Sequence, residues 1–444
     1  MQSVLCMEVL SCLSENGFSL DELVIKTKKL FESKGMPGFV ALLLSAMDEN
    51  LCWRLYQRKE GWKPEPCCSS PRYDFVDRRR RAFRTSVGIV KVHWRRMRCR
   101  ECGRRVIPLR EFMGIRRYQT KSSELERTVA EVVSEQSYRR SCRHMEIIGD
   151  IPVAKSTAHR WVMESGCDEI KVDGRLVESL FADATGYKSR PGDGVANGNR
   201  GDLKVVLGVT SEGDVVPFGC YTQESWKDIG RQIRKQTLGA GPIARVLVSD
   251  GDAGLSRGLA DLAPDQQRCH WHMERDLDFF MWKENAERSE RRRTQKHLRG
   301  IIGIELPRED FQQVSHEDTM HIARSTAEAE EKIDLLIRDL IRRGYRRAAG
   351  YVRSAKRRLF TYIRLWLKHG LVCPRVSSMI ERMIREIGRR LKKMAYGWSK
   401  KGAARMARII IKRITSADQW EDYWRKRFRI NDSVILAYRG VQIK

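Results

Sequence analysis

The chain has 444 residues and a formal net charge of +28, from 85 Lys and Arg against 57 Asp and Glu. At 41% hydrophobic and 32% charged residues it reads as roughly two to four globular domains, which excludes a disordered chain. Its apolar runs, such as 39–46 and 409–411, are too short to cross a bilayer, so the excess cations point to nucleic acid rather than a membrane.

The N-terminus lacks the basic head and cleavable apolar core of a secretory signal. The 12 cysteines are scattered rather than crowded, which fits a reducing compartment, and a cytoplasmic location is expected. Cys6, Cys12, Cys142, Cys167 and Cys220 lie in apolar surroundings and read as small core residues.

Residues 1–60 read as an N-terminal helical segment, apolar on one side through Leu20, Leu23, Val24, Phe39, Leu42, Leu43, Leu44 and Met47. Residues 61–113 follow a Gly/Pro break and alternate like a strand pair around Gly88, from Phe83 to Trp94. They end in Cys99-x-x-Cys102-Gly103, the form of a metal knuckle. Zinc needs four ligands: Cys67 and Cys68 could complete the set, His93 is another candidate, and a reduced thiol pair is the alternative.

Residues 114–170 read as consecutive helices. Leu125, Val129, Val132 and Val133 make one apolar face, 138–148 a second helix, and 149–152 a turn. The next helix, opening with a capping Ser/Thr cluster, has the character of a helix-turn-helix recognition helix. Lys155, Ser156, Thr157, His159 and Arg160 are its candidate contacts to DNA.

From 171 the pattern changes to strands at 176–182, 203–209, 215–218 and 244–248, with a helix at 226–236, an α/β order. Asp183 and Asp250 sit at the ends of apolar strands, where open α/β sheets place ligands. Residues 276–372 read as helical and charged, with helices at 277–289, 297–304, 327–343 and 347–371, and are taken as an all-helical insertion.

The charge is uneven. Between Arg338 and Arg413 stand 24 Lys and Arg against Asp339, Glu381 and Glu386, three-quarters of the net excess. Such a run is a solvated helical face or a nucleic-acid surface, and its aromatics could pack the core or stack on bases. Arg389, Arg390, Lys392, Lys393 and Trp398 are the candidate DNA contacts here.

Asp183, Asp250 and Glu381 are the candidate catalytic carboxylates: phosphodiester chemistry on two Mg or Mn ions needs hard oxygen ligands from separate elements. Singly, an Asp before Gly is often a turn and a Glu on a basic helix an ion-pair partner.

The block from Val248 through Asp250, Gly251 and Gly254 to Cys269, His272 and Leu277 resembles the second-carboxylate block of Mutator-like DDE transposases, with their Cys-x-x-His signature. Asp183 and Glu381 match the first and third carboxylates, and the upstream ribbon and helix-turn-helix look like the N-terminal parts of prokaryotic insertion-sequence transposases. The chain departs from the family pattern at Ser377-Ser378 and Ile384 around the Glu, which leaves Glu386 as a rival, and at Arg275-Asp276.

The resemblance implies a multidomain α+β protein with a ribonuclease H-like α/β core at 171–275 and 373–415. That core would be interrupted by the 276–372 insertion and followed by a tail at 416–444. It implies a DNA transposase that binds terminal inverted repeats, hydrolyses the transposon ends and transfers the 3′-hydroxyl to target DNA. Such a protein would act as a homodimer or higher synaptic oligomer at the prokaryotic nucleoid. Cys269 and His272 would lie near the active site in a hydrogen-bonding or structural role rather than as zinc ligands. An inactive transposase-derived DNA-binding protein and a structure-specific nuclease are the alternatives.

Overall fold

The computed structural model describes residues 20–31, 35–172, 177–190, 200–237, 241–393 and 396–429. The readings made for Cys6, Cys12 and Leu176, and for the side chains of Leu20 and Leu23, lie outside the described residues. The chain divides into two units, Met1–Gly166 with Asp422–Lys444, and Cys167–Glu421. Among the described residues no helix is long and apolar enough to cross a membrane.

The first unit opens with α1 (Leu20–Leu30) and α2 (Met36–Tyr56), then a three-stranded antiparallel sheet of β1 (Tyr73–Thr85), β2 (Gly88–Cys99) and β3 (Arg105–Val106). A two-residue turn joins β1 to β2. Thr85 pairs with Gly88, whose φ of +107° is one that a side chain would resist. Val90, Val92 and Trp94 are buried with Phe83, and Val40, Ala41, Leu44, Met47 and Leu51 of α2 pack on them. Val24, Phe39 and Leu43, expected on the apolar side, are exposed.

The ribbon is far longer than the 83–94 expected. The segment 77–81 is polar on both faces, so it carries no alternation, and only its backbone pairing with β2 makes it a strand. A bulge between Phe75 and Asp77 re-aims the distal half. There Tyr73, Met97 and Cys99 join Cys52, Leu55 and Val106 in a second small core.

After α3 (Pro108–Phe112) come α4 (Ser123–Glu135), α5 (Tyr138–Gly149) and α6 (Lys155–Ser165). Ser122 and Ser137 cap α4 and α5 through their hydroxyls. Asp150, at φ +49°, ends α5 in the left-handed conformation, and Gly166 ends α6 the same way. The capping role expected of the Ser/Thr cluster in α6 is corrected. Ala154 holds the cap position with no side-chain bond, and Ser156 and Thr157 fall inside the first turn.

The second unit is built on a five-stranded sheet of β4 (Val177–Lys188), β5 (Arg200–Val209), β6 (Val215–Thr222), β7 (Ala244–Ser249) and β8 (Asp265–Arg268), in the order β6-β5-β4-β7-β8. β4, β5 and β6 are antiparallel neighbours, while β4, β7 and β8 run parallel. The parallel steps are carried by α7 (Trp226–Thr237) and α8 (Ala253–Gly258). Leu180, Ala182, Val206 and Phe218 from the sheet pack with Ile229, Ile233, Leu255 and Leu259 from these helices.

Beyond β8 the described chain is helical: α9 (His270–Lys283), α10 (Arg288–Ile302), α11 (His316–Arg342), α12 (Arg346–Leu359), α13 (Thr361–His369), α14 (Ser378–Leu391), α15 (Lys400–Thr415) and α16 (Ala417–Phe428). α14 packs on β4 and α15 on β6. The single helix expected over 347–371 is two, because the Leu359 carbonyl is diverted to Gln267 and His270 while the Tyr362 N–H donates to Gln267 Oε1. The helix expected over 277–289 likewise breaks at Asn285, at φ +60°. In the first unit the end of α16 lies on α4: Arg427 pairs at 2.9 Å with Glu126, which is 2% exposed and also meets Lys121 at 3.2 Å.

Candidate active site

Asp183 does not end its strand. β4 runs on to Lys188, paired throughout with β5, whereas β7 stops at Ser249. The parallel register ends with Phe181 opposite Val248, two residues before Asp183 and Asp250, and the Asp250 charge reaches Asp183. The site is therefore a gap beside the middle of β4, opened because its parallel neighbour ends first.

Local geometry fixes each aspartate. Asp183 Oδ1 accepts the Ala184 N–H at 2.7 Å, and Asp250 Oδ1 accepts the Asp252 N–H at 2.9 Å. Between them Gly251 turns at φ +88°, and a Cβ there would collide with the Arg268 guanidinium. Asp252 is turned to a different task, capping α8 through the Leu255 N–H at 2.6 Å.

Glu381 stands in the first turn of α14 and is tied back to α9 by His272, whose Nε2 lies 3.3 Å from Glu381 Oε1. Ser377 joins the pieces. Its hydroxyl is 3.3 Å from Cys269 Sγ, 3.4 Å from His272 Nδ1 and 3.4 Å from Glu381 Oε1, and its N–H also donates to Cys269 Sγ. Burial pushes the Cys269 thiol up, but its bonds from His272 and Ser377 outweigh that and lower its pKa. For His272 burial pulls down, while Cys269 and Glu381 outweigh it and raise its pKa. Cys269 and His272 thus act as one polar unit holding the third carboxylate in place. Glu386 pairs instead with Arg389 at 2.8 Å, and Asp183 senses Glu381.

Burial first, then the charges of Asp250 and Glu381, push Asp183 up to about 6. Among the described residues none of these three carboxylates is ion-paired with Lys or Arg. Hard oxygen donors without a Lys or Arg partner suit divalent Mg or Mn.

His270 and Trp271 are separated by the structure. His270 is buried, bonded to the Leu359 carbonyl at 2.9 Å, and held neutral by burial with its pKa lowered to about 4. Trp271 is half-exposed with Arg275 stacked over it at 4.9 Å.

The candidate DNA contacts divide. In α6, Lys155, Ser156, His159 and Arg160 are exposed and Thr157 is half-buried. Lys392 and Lys393 are exposed, and Lys392 lines with Lys188 and Arg200 a cleft of about 490 Å³ along the outer half of β4. Arg390 and Trp398 are corrected: they are 0% and 4% exposed, stacked at 4.6 Å, with Arg390 bonded to the Tyr396 hydroxyl at 3.0 Å. Phe360, Tyr362 and Trp366 are likewise core, not stacking platforms. Much of the basic stretch is internally paired: Arg343 with Glu290 and Asp339, Lys356 with Asp334, Arg364 with Glu330, Arg405 and Arg408 with Asp168.

The sequence reading missed a second basic surface. Arg78, Arg80 and Arg84 of β1 and Lys91 and His93 of β2 are all exposed, and cross-strand register aligns Arg80 with His93. The run Arg78–Arg79–Arg80–Arg81 was its signal, overshadowed by the longer C-terminal run. The structure also brings Cys67, Cys68, Cys99 and Cys102 together, every sulfur within 4.8 Å of the others, while His93 lies outside that group.

No family model matches the chain. No curated protein matches it either. Among solved structures it is similar to the Drosophila P element transposase strand transfer complex, at 11% identity over 71% of this chain and 83% of that one. The TM-score of 0.26 is too low for that likeness to carry fold or activity across.

Proposed function

We propose that this protein is a DDE-type DNA transposase, with Asp183, Asp250 and Glu381 as the metal-holding carboxylates of a ribonuclease H-like core. One observation carries the reading. The β4–β7 register ends at Phe181 and Val248, which puts Asp183 and Asp250 each two residues beyond the last paired positions of neighbouring parallel strands, and Asp183 senses the charges of Asp250 and of Glu381 on α14. The all-helical 270–372 segment between β8 and α14 is in keeping with an insertion in such a core.

When bound, two Mg or Mn ions would favour the ionised attacking hydroxyl and stabilise the leaving oxygen. The protein's share is placement. Asp183 and Asp250 are held by backbone N–H groups, Glu381 by His272 and Ser377, and the raised pKa of a metal-free Asp183 marks where positive charge is wanted. Lys188, Arg200 and Lys392 line the adjoining cleft with charge suited to a phosphate backbone. Helix α6 would read terminal repeats, and a homodimer or larger synaptic assembly would bring two ends together.

The test is a strand-transfer assay with Mg and the DNA that flanks the coding region. Asp183→Asn, Asp250→Asn and Glu381→Gln are each expected to lower cleavage and joining by on the order of a thousandfold. Retention of joining by all three would sink the site assignment. Cutting without joining would identify a nuclease, and tight metal-independent binding without cutting a DNA-binding regulator.

A further inference from the structure

We propose that Cys67, Cys68, Cys99 and Cys102 together hold a structural zinc ion that closes the open end of the arginine-bearing β-ribbon. The site lies in the first unit and does not depend on the catalytic reading above.

The sulfur spacing is the first argument. Four thiolates at about 2.3 Å from a tetrahedral zinc stand about 3.8 Å apart. Cys68 Sγ lies 3.7 Å from Cys99 Sγ and 4.0 Å from Cys67 Sγ, with all four sulfurs inside 4.8 Å. Those distances are nearly twice the bond of a disulfide, about 2.05 Å. All four cysteines are free thiols in the structure.

The second argument is the backbone around the sulfurs. The Cys99 N–H donates to the Arg104 carbonyl at 2.9 Å and the Arg100 N–H to the Arg72 carbonyl at 2.7 Å, which ties the knuckle to the segment that carries Cys67 and Cys68. Gly103, at φ +74°, completes the turn after Cys102, with its N–H on the Cys99 carbonyl at 3.0 Å. The adjacent cysteines thus supply the other half of the site, despite lacking the usual two-residue spacing. Their chain has no helix or strand from Gln57 to Arg72, so it is free to present both sulfurs to one point. Soft sulfur donors in a closed set of four favour zinc over Mg, Ca or Mn.

The third argument is position. Tyr73 and Cys99 are the terminal pair of the β1–β2 ladder, at the end away from the turn. A zinc here would tie the segment entering β1 to the knuckle leaving β2. It would stop the ladder fraying where the Phe75/Asp77 bulge has already interrupted it.

The test uses the full chain purified in reductant without chelator, with metal measured by plasma mass spectrometry. About one zinc per chain is expected, released by a mercurial thiol reagent and retained in the Asp183→Asn/Asp250→Asn/Glu381→Gln variant. Cys99→Ser and Cys102→Ser should each lower the zinc content severalfold, and His93→Ala should leave it unchanged. Because a serine variant can fail to fold, cobalt exchanged into the unaltered chain gives a second readout, the absorption bands of a tetrahedral tetrathiolate. Four freely titratable thiols with no metal, iron in place of zinc, or zinc that persists when all four cysteines are replaced would each overturn the proposal. Loss of joining by the carboxylate variants bears on the catalytic site alone.

Discussion

At the scale of single residues the decisive facts concern charge without a partner. Asp183 has its pKa raised from an ordinary 3.8 to about 6, mainly by burial. An acid whose folded pKa exceeds its unfolded one favours folding fully below about 3.8 and loses that contribution as pH rises through about 6. Above that, the metal-free protein carries the penalty of a buried negative charge. Asp183→Asn should therefore raise the melting temperature in EDTA at pH 8, by on the order of 2 kcal/mol of stability, while abolishing activity. Calorimetry at pH 8 and pH 5 checks this: the gain should shrink at the lower pH, and an equal gain at both would contradict the stated cause. Arg390 makes the complementary case. Being buried against Trp398, it should matter to stability and not to DNA. Arg390→Met is expected to shift the unfolding midpoint by about 1–3 kcal/mol and to leave the salt dependence of DNA binding unchanged.

Elements tell a different story, because the exposed basic surfaces are set by pairing rather than by composition. The outer face of the ribbon gathers Arg78, Arg80, Arg84, Lys91 and His93 from two strands. Each Arg→Ala change there should flatten the plot of log affinity against log salt by about 0.9 for every phosphate it leaves unneutralised, with little change in melting temperature. An unaltered slope in the Arg78→Ala/Arg80→Ala/Arg84→Ala variant would remove the ribbon from the DNA interface. The four consecutive arginines were visible in the sequence, but not their face: without apolar alternation nothing announces a strand. The helices were easier to read. Leu125, Val129 and Val133 are all fully buried as their spacing implied, and α5 ends one residue past the expected point. What periodicity could not show was the break at Phe360, since it arises from Gln267 and His270, about ninety residues away, taking over a helix carbonyl.

At the largest scale, residues 301 positions apart meet inside the first unit. Glu126, nearly inaccessible, is balanced by Lys121 and by Arg427 from α16. Arg427→Ala leaves part of a buried charge uncompensated and should destabilise the unit around α4 by about 3 kcal/mol. Hydrogen exchange of α4 amides measures this, and unchanged protection would show the pair to be energetically idle. The positive charge is likewise less of a single track than its sequence position implies. Several arginines and a lysine between 338 and 413 neutralise Glu290, Asp334, Glu330 and Asp168 inside their own unit, whereas the ribbon and α6 present cations outward.

By itself the sequence determined the excess of cations, the helices at 123–149, the α/β segment and the identities of the three carboxylates as candidates. These follow from local pattern: apolar period, net charge and the residues flanking each acid. Only the tertiary structure decided that Asp183 lies inside its strand, that Glu381 is tied to His272 while Glu386 pairs with Arg389, and that Arg390 and Trp398 are core. It also decided that four cysteines from two separate segments share one point. The reason is the same in each case. Register, burial and the path of a neighbouring strand depend on contacts between residues distant in the chain, and a local pattern carries no record of which distant residue will arrive.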